Sequence, residues 1–104
     1  MPAAVTSAEL EECRRLAADW APILRALANE ERLLITLWLA GSTCTVRELE
    51  TVTGMSQSLV SYHLRALREA GLVASIPDGR SNRYQLASRD LDQLAGVIGG
   101  LSAT

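Results

Sequence analysis

The sequence predicts a mainly α-helical fold carrying one two-stranded β-hairpin. Three observations predict it. Helical apolar spacing runs through most of residues 6–70 and is punctuated by capping residues. After Gly71 the pattern changes to β-branched and alternating residues around the turn-forming "PDGRSN". A last segment, residues 88–101, returns to helical spacing with a narrow apolar seam.

Each element has its own reason. Thr6 and Glu9 read as a capping box, followed by Leu10, Cys13, Leu16, Ala17 and Trp20 at helical spacing. Pro22 predicts that this helix ends near Trp20 and that a second short helix, "PILRALA", begins there, because proline cannot donate inside a helix. Asn29 caps the next helix, with Glu30 and Glu31 suited to its dipole. Residues 33–35 and 37–39 are apolar, so this helix is expected to be the central core helix, wrapped on most sides.

Thr45 and Glu48 form a second capping box ahead of the stripe Val46, Leu49 and Val52, and Gly54 closes that helix. Ser56 caps "SQSLVSYHLRALREAGLV", which ends at Gly71 with Leu72 able to fold back. "LVASI" and "RYQLA" are the hairpin strands. Ser88 caps the last helix, whose Leu91, Leu94, Ile98 and Leu101 form the seam. Gly96, Gly99 and Gly100 weaken that helix, so it is expected to need a partner.

Length and composition bound the function. A chain of 104 residues that is 48% apolar suits one domain, residues 1–104, with a single core, and dimerisation would bury more surface. No run approaches a membrane span, and "MPAAVTSAELEECRR" lacks a secretory pattern, so a cytoplasmic protein without a membrane partner is expected. The net charge is −2, yet residues 43–86 carry five arginines against four acids and form the only net positive segment. One histidine, two separated cysteines and no paired carboxylates supply no nucleophile–base set, so an enzyme is not expected.

Two short helices joined by a glycine turn (residues 46–70), followed by a hairpin (residues 72–87), make a helix-turn-helix with a wing. At about 100° per residue, Val60, Leu64 and Leu67 centre on one face of the second helix. Ser58, Ser61, Tyr62, Arg65 and Glu69 lie opposite. Gln57, Ser58, Ser61 and Tyr62 are short or hydrogen-bonding residues at the start of a helix, where they can reach base edges in a major groove. Arg65, Arg68, Arg80 and Arg83 suit DNA phosphates, Arg80 from the hairpin tip. His63 lies about 60° off the core centre. It reads as a packing residue, as a further DNA contact or as a metal ligand.

"ALANEERLLITLWLAG", "SQSLVSYHLRALREAGLV" and "DGRSNRYQL" resemble the ArsR/SmtB family of winged-helix repressors over about residues 20–87. The resemblance implies a homodimer on a palindromic double-stranded DNA operator, with repression relieved by an inducer, typically a metal ion. It places the dimer interface on the first and last helices, here residues 6–20 and 88–101, with Leu10, Cys13, Leu91, Leu94, Ile98 and Leu101.

The sequence departs from the family at the sensor. The family's paired-thiol site matches "TCTVREL", where Thr45 and Arg47 stand in place of the two cysteines. A zinc-type site on the last helix would need histidines this chain lacks there; Asp90 and Asp92 read as first-turn residues. Cys13 and Cys44 are the remaining candidates. The resemblance implies one more pairing, a thiophilic ion held by a first-helix cysteine and one near the helix-turn-helix of the other protomer, which Cys13 and Cys44 fit in outline; they could also form a redox switch or be structural, Cys13 lying on an apolar stripe and Cys44 in a loop. The expected function is a DNA-binding repressor released by an effector. The alternatives are control by thiol redox or a partner protein, or an interaction module that has lost DNA binding.

Overall fold

A computed structural model describes residues 6–87, together with Gly96 and Gly99. The helix expected over 88–101, with Leu91, Leu94, Ile98 and Leu101, lies outside the described residues. The element order is α1 (Ser7–Leu27), α2 (Glu30–Leu39), β1 (Cys44–Thr45), α3 (Val46–Thr53), α4 (Gln57–Glu69), β2 (Val73–Asp78) and β3 (Ser81–Leu86).

The capping residues set the helix starts as expected. Thr6, Asn29, Thr45 and Ser56 each accept a backbone N–H from the residue three positions on. Only Thr45 and Glu48 complete a reciprocal box, with the Glu48 carboxylate accepting from the Thr45 N–H at 3.0 Å. Helix α4 ends in a Schellman motif: Gly71 N–H donates to the Arg68 carbonyl and Leu72 N–H to the Leu67 carbonyl. Gly71 holds φ 77° there, and the reversal drops Leu72 into the core with no exposure.

One core organises the domain. Ile35 and Leu39 of α2, Leu49 of α3, and Val60, Leu64 and Leu67 of α4 are buried together with Cys44, Leu72 and Val73. Ile23, Ala26 and Leu27, from the last turns of α1, pack against it. The hydrophobic effect of roughly 25 cal/mol per Å² acts mainly here, on side chains drawn from every helix.

Several expectations are corrected. Helix α1 does not stop at Trp20 but runs through Pro22 as one helix of 21 residues. Proline removes a single intrahelical bond, and the flanking Leu16, Ala17, Ala18, Ala21 and Leu24 are strong helix formers that continue the helix across the gap. Helix α2 is not wrapped on most sides. Only Ile35, Thr36 and Leu39 are buried, while Leu33, Leu34, Leu37 and Trp38 are exposed in the single chain. Val52 is exposed as well, so the α3 stripe is buried only at its centre, Leu49.

The sheet has three strands rather than two. Order β1-β3-β2 is antiparallel throughout, with Cys44 opposite Tyr84 and Thr45 opposite Arg83. The hairpin strands also reach further than "LVASI" and "RYQLA". Pro77 pairs with Asn82 and Asp78 with Ser81, leaving a two-residue turn, Gly79-Arg80, whose glycine has φ 62°. Strand β2 is an edge strand, which is where proline is tolerated.

Candidate nucleic-acid interface

The sequence of α4 divides cleanly between two faces. Val60, His63, Leu64 and Leu67 are buried. Gln57, Ser58, Ser61, Tyr62, Arg65 and Arg68 are exposed on the other side. Ser56 satisfies the Leu59 N–H at 3.2 Å, and the side chains of Gln57, Ser58, Ser61 and Tyr62 make no hydrogen bond among the described residues. Tyr62 is 61% exposed, unusual for an aromatic ring in a domain with so few aromatics. Helix α3 leads into α4 through Gly54 at φ 75°, a left-handed cap that a side chain would strain.

The hairpin stands beside the start of α4. A groove of about 620 Å³ opens between α3, the first turn of α4 and the wing, lined by Arg47, Glu50, Gln57, Ser81, Asn82 and Tyr84 among others. Three segments distant in sequence therefore converge on one polar surface. Arg47 and Asn82 belong to it and were not singled out as contacts in the sequence. Arg47 was read only as a replacement for a missing cysteine, and Asn82 as turn chemistry. No local pattern brings them to Gln57; the β1–β3 pairing does.

The predicted phosphate contacts separate into two kinds. Arg68 and Arg80 make no side-chain hydrogen bond or ion pair among the described residues, and Arg65 meets only the exposed Glu69 at 3.5 Å. Such an exposed pair contributes under about 1 kcal/mol and yields readily to a stronger anion. Arg83 is different. Its Nε donates to Thr43 Oγ1 at 3.1 Å and its Nη2 to the Thr43 carbonyl at 3.0 Å. Its guanidinium also meets Glu48 at 2.9 Å and Asp78 at 3.6 Å. The Glu48 carboxyl is held below the ordinary carboxylate value, first by the Thr45 backbone N–H, with smaller contributions from the Thr45 side chain and Arg83.

His63 does not join the exposed set. It is 2% exposed, on the inner face of α4, with Nε2 3.4 Å from Glu31 Oε1 across the α2 contact. That is ion-pair distance, but neither ring nitrogen makes a hydrogen bond among the described residues. The Tyr62 ring meets it edge-on at 5.2 Å. A helix turns by about 100° per residue, and the packing of α2 closes the 60° margin that left His63 undecided in the sequence.

The two thiols exchange their expected settings. Cys13 is exposed on α1, and Cys44 is 4% exposed, its sulfur 3.9 Å from the Ser42 hydroxyl. Pairing of β1 with β3 carries Cys44 out of a loop and into the core. Among the described residues no three His, Cys, Asp or Glu side chains come together as a metal site. One exposed and one buried thiol, on different elements, do not make a ligand set within one chain.

Comparison with known proteins agrees with this architecture. The model of the bacterial regulatory protein arsR family matches residues 29–75. The chain is 42% identical over 78 residues to the HTH-type transcriptional regulator NmtR of Mycobacterium tuberculosis, covering 75% of this chain and 65% of that protein. It is 32% identical over 91 residues to the HTH-type transcriptional regulator YgaV of Escherichia coli, covering 86% and 92%. Among solved structures, it is similar to the homodimeric winged helix-turn-helix DNA-binding domain Mb0332 of Mycobacterium bovis, with a TM-score of 0.72, 28% identity, and coverage of 98% of this chain and 91% of that one. With its helix-turn-helix and wing, its match to the family model and its likeness to these regulators, this chain belongs to the arsR family of DNA-binding transcriptional regulators.

Proposed function

We propose that this chain is a transcriptional repressor that binds a palindromic operator as a homodimer, with the start of α4 in the major groove. One observation carries the reading. Gln57, Ser58, Ser61 and Tyr62 stand exposed, their side chains without a hydrogen bond among the described residues, on a helix whose other face is buried. They are the base contacts, while Arg65, Arg68 and Arg80 hold phosphates on either side. The exposed thiol of Cys13 and the buried thiol of Cys44 are the chain's effector candidates. Across a homodimer, Cys13 of one protomer and Cys44 of its partner would hold a thiophilic ion whose binding releases the operator; the second reading is a thiol redox switch at the same two residues.

The test is a binding titration against a labelled duplex of the DNA upstream of the coding sequence. A Ser61→Ala, Arg65→Ala double variant should lose at least about tenfold in specific affinity while remaining a folded dimer, since each lost base contact costs roughly 1–3 kcal/mol. Unchanged affinity would show that α4 is not the reading helix. Affinity that hardly responds to salt would favour an interaction module instead. For the effector, wild type, Cys13→Ser and Cys44→Ser are compared under oxidant and under added thiophilic metal. Equal release in all three removes both cysteines from the response.

A further inference from the structure

Arg83 is engaged through all three of its guanidinium nitrogens, and its partners come from three parts of the chain. Thr43 precedes β1, Glu48 lies in the first turn of α3, and Asp78 ends β2. Arg83 itself sits in β3, opposite Thr45 on one side and Ile76 on the other. Two carboxylates already balance its charge, so little attraction is left for a phosphate. The side chain is also only 34% exposed, whereas Arg80 at the tip is open and without a partner among the described residues.

We propose that Arg83 is a positioning residue, which clasps the wing to the N-terminus of α3 and so fixes where Arg80 stands relative to α4. The proposal rests on the reading that α4 and the wing tip face DNA. Its physical basis is leverage. The backbone pairing that joins the wing to the helix-turn-helix covers only two residues of β1. The turn begins a few residues beyond Arg83, about 10 Å of strand, so a small rotation at the base moves the tip by an ångström or more. A contact displaced that far is lost to binding even though the fold survives. Glu48 serves both sides of the clasp: it caps α3 through the Thr45 N–H and anchors Arg83.

The clasp and a direct phosphate contact make opposite predictions at Glu48. Binding of Arg83→Gln, Arg83→Lys and Glu48→Gln to the same upstream duplex is measured across a salt series, on protein confirmed as folded dimer. The glutamine keeps the cap, because an amide oxygen accepts the same Thr45 N–H, so Glu48→Gln carries the test should Arg83→Gln not fold. If Arg83 positions the wing, all three variants, Glu48→Gln included, weaken binding by about three- to tenfold and lower the salt slope together, because the Arg80 phosphate contact goes with the clasp. Lysine fails here because it cannot reach Thr43 and Glu48 with one fork. If Arg83 instead holds a phosphate, Arg83→Lys binds like wild type with an unchanged slope, Arg83→Gln alone lowers the slope, by about 0.9, and Glu48→Gln tightens binding by removing a negative charge. Any of those results, or no change in any variant, overturns the proposal. Failure of the underlying reading looks different: wild type then shows no salt-steep binding, or the Ser61→Ala, Arg65→Ala variant binds as tightly as wild type.

Discussion

At the residue scale, His63 lies at the margin of the apolar stripe of α4 and is buried against α2, its Nε2 3.4 Å from Glu31 Oε1. An enclosed imidazole whose nitrogens make no hydrogen bond among the described residues costs desolvation and returns little, so an apolar side chain of similar volume should be tolerated. His63→Leu is therefore expected to change stability by less than about 1 kcal/mol, or to raise it, and to leave DNA affinity and salt slope unchanged. Thermal unfolding and a binding titration check this; a large loss of affinity at unchanged stability would return His63 to the DNA face. Cys13 shares helical spacing with Leu10 and Trp20, which reads as core, yet among the described residues no residue of α1 is buried and Cys13 is exposed. Cys44 was illegible because its burial depends on a partner strand some forty residues away.

At the element scale, the helix boundaries that depend on caps were legible and those that depend on a breaker were not. Thr45 and Glu48 announce α3 by chemistry confined to four residues. The depressed Glu48 carboxyl gives that cap a pH signature. A group whose folded value is lowered stabilises fully above its ordinary value and stops doing so as the pH falls through the lowered one. The difference in Tm between wild type and Glu48→Gln should accordingly be present at neutral pH and shrink as the pH falls below the ordinary carboxylate range. A gap of the same size at every pH down to acid unfolding would mean that the carboxylate charge is not what stabilises the cap. Pro22 is the opposite case. It forfeits one backbone bond inside α1, and Pro22→Ala should raise stability by about 1–3 kcal/mol in chemical denaturation. Strand β1 escaped notice because two residues carry no periodicity; its existence follows from β3 alone.

At the scale of the whole molecule, the chain leaves a long helix without a core. Helix α1 has 21 residues and none of them is buried. Its last turns touch the core through Ile23, Ala26 and Leu27, but Leu10 and Leu24 are 46% and 44% exposed. At about 100° per residue these two leucines fall within about 40° of each other, on a face turned away from that contact. An isolated helix is marginal in water, and its stability comes from burying an apolar stripe. The similar Mycobacterium bovis domain is homodimeric, and in the proposed homodimer a second copy would cover such a stripe. Two copies would also present two α4 helices to successive major grooves, about 34 Å apart, and so make one operator contact depend on the other. Leu10→Glu with Leu24→Glu should therefore convert the protein to monomer in sedimentation velocity, since two carboxylates cannot be buried unpaired without several kcal/mol of cost. The same variant should keep the core, judged by the burial of Leu49 and Leu67 in hydrogen exchange, and lose far more affinity for a full palindrome than for a half-site. If it remains a dimer, the interface lies elsewhere and the exposed stripe of α1 needs another partner.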